Sequence, residues 1–206
     1  METRKRYLPI STQNFHTRDD EDNLTIEGYF AVFDSTYQIG DLFSESIAPG
    51  AFTDTISGDI RALTNHDTSL VLGRTTAGTL ELKEDEHGLW GRILINPKDQ
   101  DAMNLYSRTQ RGDVNQASIG FMIVDEDEEE HDGHVHWTIR KVELFEVSVC
   151  TFPAYEETAL DARSADFEVI RKCKLDKWKT DTRARLEKLK GDNDGIKSVD
   201  FTEKNR

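Results

Sequence analysis

The segment Gln116-Ala117-Ser118-Ile119-Gly120-Phe121 lies in a proline-free run, residues 116–124, that contains several β-branched and aromatic residues. Such a run predicts a β-strand. Two-residue alternation puts Ala117, Ile119, Phe121 and Ile123 on one face of the strand, and Ser118, Gly120 and Met122 on the other. A strand holds a serine hydroxyl rigidly, and a glycine two residues later leaves room beside it for another backbone. The position suits a nucleophile, although ordinary strands also contain Ser-x-Gly.

Short β-like runs on both sides of this segment predict a mostly β fold with peripheral helices. They are residues 24–33, 42–47, 60–64, 70–74, 79–82, 89–95, 135–142 and 144–151. Their spacing is typical of an antiparallel barrel or sandwich. One helix is predicted between them, with Asn96 as its N-cap, Pro97 at its first position and Gly112 at its end. The acidic run 125–132 predicts a solvated hairpin tip.

The length of 206 residues predicts one domain with appendages. We expect residues 1–23 to form a flexible arm, residues 24–160 the domain, and residues 161–206 a polar, partly helical tail. The tail holds half of the 26 Lys and Arg but only 10 of the 40 Asp and Glu, so the domain is strongly acidic. Because non-specific binding of nucleic acid depends on neutralised phosphates, this charge argues against a nucleic-acid partner.

The sequence also argues against a membrane partner and against a disulfide-stabilised secreted fold. No apolar run approaches the about 18 residues that cross a bilayer, and the N-terminus lacks a signal-peptide core. Two cysteines, Cys150 and Cys173, are too few for a disulfide framework. We therefore expect an intracellular protein.

His66 and Glu146 are the two residues that could activate a serine. His66 follows a short predicted strand, where a half-exposed imidazole can act as a general base near neutral pH. A surface histidine bonded to a neighbouring residue is the simpler interpretation. Glu146 lies in mid-strand, where a buried carboxylate needs a partner such as an imidazole. On an exposed face it would only be solvated. Together with Ser118, these residues supply a nucleophile, a base and an orienting acid.

Two other sites are conceivable from the sequence. Cys150 with His66 would make a cysteine nucleophile, but a strand cysteine is more typical of a small buried hydrophobic residue. His131, His134 and His136, among the acidic residues, could bind a divalent metal, yet no fixed ligand pair such as HExxH or CxxC is present. Neither a P-loop nor a GxGxxG motif supports nucleotide chemistry. No metal and no cofactor is predicted.

Six segments together, in this order, resemble the HK97-type phage prohead proteases, the maturation proteases of tailed bacteriophages. They are residues 28–33 (GYFAVF), 47–52 (IAPGAF), 63–67 (LTNHD), 88–89 (GL), 116–121 (QASIGF), and 144–149 (LFEVSV) with 153–155 (PAY). The resemblance covers residues 24–160 and makes this the protease domain. Ile119 departs from the pattern, in which an aromatic residue is more usual; this changes packing rather than chemistry.

The resemblance implies a serine endopeptidase with an antiparallel β-barrel surrounded by helices, similar to the herpesvirus assemblins. Carried over residue by residue, it implies a catalytic triad of His66, Ser118 and Glu146. The third member is the least secure, because Glu143 lies close by and Asp67 adjoins the histidine. Candidate oxyanion donors are backbone N–H groups near residues 119–120 and near Arg74.

The same resemblance implies a place and a partner. Proteases of this family act inside the procapsid, in the bacterial host cytoplasm, where they cleave the scaffold segment of the major capsid protein and then themselves. The tail would suit a cleavable or packaging segment. Since assemblins act as dimers, a homodimer is implied. The alternatives are a noncatalytic procapsid assembly or scaffold-binding module with the same fold, and an esterase or amidase with the same triad.

Overall fold

The computed structural model describes residues 6–10, 15–20, 23–39 and 41–152. The strands in these residues are β1 Arg6–Ile10, β2 His16–Asp20, β3 Asn23–Val32, β4 Tyr37–Gln38, β5 Phe43–Ile47, β6 Arg61–Thr64, β7 Asp67–Arg74, β8 Leu80–Glu84, β9 Gly88–Ile95, β10 Gln116–His131 and β11 His134–Cys150. The helix α1 is Gln100–Arg111. A mostly β fold with little helix is thus confirmed.

The strands form two sheets. The larger has the order β1-β10-β11-β5-β4, with β6 beside β11 and β7 beside β6; the smaller has the order β2-β3-β9-β8. Within the described part of the chain both sheets are open, and β11 pairs in parallel with β5 and β6. The expected antiparallel barrel is therefore not formed by these residues. The turns over residues 48–60 return the chain so that β6 enters the sheet in the same direction as β5.

The hairpin of β10 and β11 forms the centre of the larger sheet, because β1 pairs with β10 while β5 and β6 pair with β11. Its strands have 16 and 17 residues and are joined at Asp132 and Gly133, which both have positive φ. The predicted acidic tip is shorter than expected, because residues 125–131 continue β10 and pair with β11. For the same reason β11 is one continuous strand where two were predicted.

One hydrophobic cluster connects the two sheets and the helix. Its members include Ile26, Phe30, Ile93, Leu105, Ile119, Val147 and Val149. The alternation predicted for β10 is confirmed, since Ala117, Ile119 and Phe121 all belong to this cluster. On β11 the alternation changes phase at Phe145. The pairing shifts between Gly120 and Phe121, so Phe145 is an extra residue and Leu144 enters the core in its place.

The start of α1 differs from the prediction, whereas its end agrees. Asp99, rather than Asn96, is the N-cap; its side chain accepts hydrogen bonds from the N–H groups of Asp101 and Ala102 at 3.0 and 3.2 Å. Asn96 instead accepts a bond from the Lys98 N–H in the preceding turn. Gly112 ends the helix with a φ of 86°.

Two segments of the predicted flexible arm, residues 1–23, are paired strands. β1 lies antiparallel to residues 117–121 of β10, and β2 lies antiparallel to β3. The expectation of a loose arm is corrected for these segments, because backbone hydrogen bonds hold them in the sheets. The predicted tail, residues 161–206, lies outside the described residues, and the domain boundaries stay a prediction. Among the described residues, no helix has the length and apolar character of a membrane span.

Candidate active site

Ser118 and Glu146 lie on the neighbouring strands β10 and β11, and His66 follows β6, which pairs with β11 on its other side. In the antiparallel pairing, Ser118 is opposite Ser148, and Gly120 is opposite Glu146. Directly opposite residues on neighbouring strands share a face, so Ser118, Glu146 and Ser148 lie on the side of the sheet away from Val147 and Val149. On the other side of β11, β6 pairs with residues 146–149, and His66 follows β6 after one residue.

A tight turn holds His66 above this face. Thr64 pairs with Asp67, so Asn65 and His66 form a two-residue hairpin turn, and both have positive φ, 50° and 62°. Such turns favour asparagine first and glycine second. A histidine in the glycine position is strained and persists only where the surroundings hold it. Asn65 is anchored to β11 and its end by bonds from its own N–H to Val149 O and from the Thr151 N–H to its Oδ1.

The Glu146 carboxylate is the partner of the His66 ring. Glu146 is 5% exposed, and its Oε1 lies 2.7 Å from His66 Nδ1. A carboxylate can only accept here, so Nδ1 is the donor, and in the neutral ring this tautomer leaves the lone pair on Nε2. The second oxygen, Oε2, accepts a 2.7 Å hydrogen bond from the Ser148 hydroxyl. Both carboxylate oxygens are thereby hydrogen-bonded, which offsets the cost of burying the charge.

Gly120 creates the space that Glu146 occupies. A Cβ at this position would lie 2.3 Å from Glu146 Oε1 and 2.8 Å from Phe145 Cε2, closer than non-bonded atoms approach. The sequence predicted room beside Ser118 for another backbone. The structure fills that room with the glutamate side chain instead, so the glycine of Ser-x-Gly serves the acid rather than the nucleophile.

Cys150 is near the imidazole but is not poised as a nucleophile. Its sulfur lies 4.0 Å from His66 Nε2. Burial, and then the negative charge of Glu146, raises the pKa of the Cys150 thiol to about 12. Since the thiolate is the reactive form, this thiol is held in its unreactive state. Its environment is that of a buried small residue, which was the simpler interpretation.

The structure separates Glu146 from the other candidates for the third position. Glu143 is exposed on β11, opposite Met122. Asp67 is exposed and accepts bonds from the N–H and the hydroxyl of Ser69, which lower the pKa of its carboxyl group. Of these three acids, Glu146 is the one with a hydrogen bond to the His66 ring.

The backbone near Arg74 was predicted to supply an oxyanion donor, but Arg74 lies far along its hairpin from His66. It pairs with Arg61, at the opposite end of β6 from the Asn65–His66 turn. Its backbone N–H donates to Thr79 Oγ1, and its side chain binds Asp59 at 2.6 and 2.7 Å. This candidate is therefore corrected: both donor groups are used elsewhere.

The three histidines considered as metal ligands do not converge. His136 lies between two hydroxyls, Ser44 Oγ at 2.7 Å from Nδ1 and Ser46 Oγ at 2.9 Å from Nε2. His131 is beside Asp132 at the exposed end of the hairpin. In the described ranges, no group of three or more His, Cys, Asp or Glu side chains is placed to hold a metal ion.

Comparisons with known proteins give the chain its family. A model of the family described as caudovirus prohead serine protease matches residues 13–173. The prohead protease of Enterobacteria phage HK97 is 34% identical over 163 residues, which are 76% of this chain and 67% of that protein. The solved structure of the bacteriophage T4 capsid assembly protease, gp21, aligns with a TM-score of 0.44 and 10% identity, covering 73% of this chain and 99% of that one. On the family match and the HK97 relative, the chain belongs to the caudovirus prohead serine proteases.

Proposed function

We propose that this protein is the endopeptidase of capsid maturation, and that it hydrolyses peptide bonds with Ser118 as nucleophile, His66 as general base and Glu146 as orienting acid. The observation that carries the proposal is the 2.7 Å bond between His66 Nδ1 and Glu146 Oε1, formed on the face of the sheet that also holds Ser118. Family membership supports the reaction class, and this geometry supports the residues.

The chemistry favours Ser118 over the other two candidates on this face. The Ser148 hydroxyl donates its hydrogen bond to Glu146 Oε2, and not to the His66 ring. The Cys150 thiol has a pKa of about 12. Ser118 is one strand away, opposite Ser148, and neighbouring strands are about 4.8 Å apart.

In the proposed reaction, Ser118 Oγ attacks the scissile carbonyl carbon while its proton passes to His66 Nε2. The proton then goes to the leaving amine, and an ester of Ser118 remains. Water, deprotonated by the same nitrogen, hydrolyses that ester. Glu146 holds the ring and stabilises the imidazolium throughout. Backbone N–H groups near residues 119–120 are the other proposed oxyanion donors; they lie on β10 between β1 and β11, so they serve an oxyanion only when this pairing opens.

Ser118 is completely buried in this structure. A polypeptide therefore reaches the hydroxyl only after the residues that cover it have moved. This suits an enzyme whose activity starts at a defined stage of assembly.

The finer parts of the proposal are the substrate, the location and the oligomeric state. The proposed substrate is the major capsid protein with its scaffold segment. The proposed location is the interior of the procapsid in the host cytoplasm, and the proposed oligomeric state is a homodimer. The prohead family and the sequence resemblance support them. A noncatalytic assembly module is disfavoured by membership in a serine protease family.

Co-expression with the major capsid protein tests the proposal. We expect intact-mass analysis to show a shortened capsid protein with the wild type and the full-length form with Ser118→Ala. Ser69→Ala, an exposed serine bonded to its neighbour Asp67, is the matched control and should process normally. In the co-expressed assemblies that process the capsid protein, where the site must have opened, a fluorophosphonate should label Ser118, and His66→Ala should block the label. Normal processing by Ser118→Ala would refute the assignment.

A further inference from the structure

Ser148 is hydrogen-bonded to both of the residues proposed to activate the nucleophile. Its hydroxyl donates to Glu146 Oε2 at 2.7 Å and accepts from the backbone N–H of His66 at 3.1 Å. The side chain is completely buried. One hydroxyl group therefore connects the acid to the backbone of the base.

We infer that Ser148 is a positioning residue of the protease, which fixes the His66 turn and the Glu146 carboxylate relative to each other. This role depends on the proposed triad and goes beyond it, since the bonds of Ser148 are with the acid and with the backbone of the base. Its proton is directed at Glu146 Oε2 and not at His66 Nε2, the nitrogen proposed to accept the proton of the nucleophile.

The first part of the role concerns the backbone of His66. A non-glycine residue with a φ of 62° is in the left-handed region, which is unfavourable for a side chain with a Cβ. The bond from the His66 N–H to Ser148 Oγ spans 82 positions of sequence and attaches this strained residue directly to β11. It acts beside the Asn65 bonds to Val149 and Thr151, and it is the bond that holds the backbone of His66 itself to the residue next to Val149.

The second part concerns the direction of the carboxylate. A buried glutamate has several rotatable bonds, and a hydrogen bond at Oε2 fixes which oxygen faces the imidazole. The Ser148 proton also withdraws negative charge from the carboxylate. Losing it would leave more charge opposite the ring and would stabilise the imidazolium form of His66 further.

Three titratable groups lie at the His66 turn in the described residues, and a fourth, Arg61, lies at the other end of β6, opposite Glu146. Glu146 and Cys150 on β11 contact the ring, at Nδ1 and Nε2. Asp67, the next residue, is bonded to Ser69. Arg61, opposite Glu146 in the β6 pairing, directs its guanidinium to Asp59. The carboxylate of Glu146 is thus the charge that Ser148 can modulate at the ring.

Ser148→Ala tests the inference in the full-length protein. We expect fluorophosphonate labelling and kcat to fall by about tenfold to a hundredfold while KM changes less than twofold. The acid limb of the kcat/KM profile should move to higher pH, because the imidazolium is stabilised. Ser148→Thr, which restores a hydroxyl on a β-branched side chain, should recover most of the rate and the original limb.

Ser44→Ala is the matched control. Ser44 is also almost fully buried in the same sheet, and its hydroxyl bonds a histidine, His136, at 2.7 Å. It pairs with the opposite half of β11 from Ser148. Its loss should lower thermal stability without moving the pH limb, so a general effect of removing a buried hydroxyl is measured separately.

Each outcome has a defined meaning. A wild-type rate and pH limb in folded Ser148→Ala, with the adduct on Ser118, would overturn the positioning role alone. An adduct on another residue would overturn the proposed triad. If Ser148→Ala does not fold, Ser148→Cys replaces it, since a thiol is a weaker donor. A rate and limb equal to the wild type in that variant would count against the role.

Discussion

The β10–β11 hairpin has an inner half, residues 116–123 with 142–150, and an outer half, residues 125–131 with 134–141. One hydrogen-bonded histidine lies at each half, and the two histidines have different partners. At the inner half, His66 Nδ1 is hydrogen-bonded to the Glu146 carboxylate, and Nε2 lies 4.0 Å from the Cys150 sulfur. At the outer half, His136 has a hydroxyl at each ring nitrogen. The bonded partner is a carboxylate in the first arrangement and two hydroxyls in the second. The acid, rather than the imidazole, distinguishes the proposed active site from the second histidine.

The largest expected effect comes from removing that acid. Glu146→Gln keeps the shape of the side chain but replaces the charge with an amide, so the tautomer and the imidazolium both lose support. We expect kcat to fall about 10³-fold or more, as for triads in general. Capsid-protein cleavage or fluorophosphonate labelling measures it.

Glu143→Gln is the control for charge, because Glu143 lies on the same strand but is exposed. It should retain activity within about twofold, as exposed charges interact weakly. If Glu143→Gln were the inactive variant and Glu146→Gln the active one, the comparison of the two halves would lose its basis.

Gly120→Ala should have the next largest effect. The added methyl group would lie 2.3 Å from Glu146 Oε1, so the carboxylate must leave its place beside His66. We expect kcat to fall about a hundredfold and the free energy of unfolding to fall by about 1–3 kcal/mol, as for overpacked sites. Steady-state kinetics and denaturant unfolding give the two values.

At the outer half, Gly133→Ala is the counterpart. Nothing lies within 4 Å of its added Cβ, but its φ of 83° disfavours alanine. About 1 kcal/mol of stability should be lost with no change in kcat. Equal losses of activity in the two variants would show that hairpin stability, rather than the space beside Glu146, controls catalysis.

How much of this site the sequence predicted depends on the range of each interaction. Alternation along single strands placed Ser118 with Gly120, and Glu146 with Ser148 and Cys150. It could not give the contacts between strands, because His66 and Glu146 are 80 residues apart and their meeting depends on the parallel pairing of β6 with β11. A one-residue change of register would have reversed every face.

Local irregularities account for the other differences. The extra residue at Phe145 shifts the phase of β11, and nothing in the periodicity marks it. The turn at Asn65 and His66 has positive φ at both positions. Asparagine is typical of the first position of such a turn, but the second position usually holds glycine, so the sequence does not predict the turn. Asp99 and Asn96 are both favourable N-cap residues, so the sequence alone does not determine which of them begins α1.

A smaller effect is expected at Cys150. In a Cys173→Ser background, Cys150→Ala should keep kcat within about threefold of the wild type, because the thiol has a role in packing rather than in chemistry. Iodoacetamide at pH 8 should modify the native protein slowly, since the pKa of this thiol is raised to about 12, and the urea-unfolded protein quickly. Intact mass records both. Complete loss of activity in Cys150→Ala would favour the cysteine nucleophile.

The smallest effect is expected from the ion pair beside the outer half, Lys141 with Asp54, whose Nζ and Oδ2 are 2.6 Å apart. The hydrogen bond from Lys141 lowers the pKa of the Asp54 carboxyl group. Its contribution is therefore complete above the unfolded value of about 4 and disappears as the pH falls through the lower, folded value. Asp54→Asn should lower Tm slightly at pH 7, by less in high salt, and by progressively less as the pH falls through the folded pKa of Asp54.

Both side chains of this pair are exposed, and the same turn is also held by the bond from the Val142 N–H to Ala51 O. The pair therefore supplements a contact that persists without it, and kcat should not change. A loss of activity in Asp54→Asn would mean that the two halves of the hairpin are coupled. The geometry of the proposed site would then depend on contacts at the outer half, such as Lys141 with Asp54, as well as on Glu146, Ser148 and Gly120.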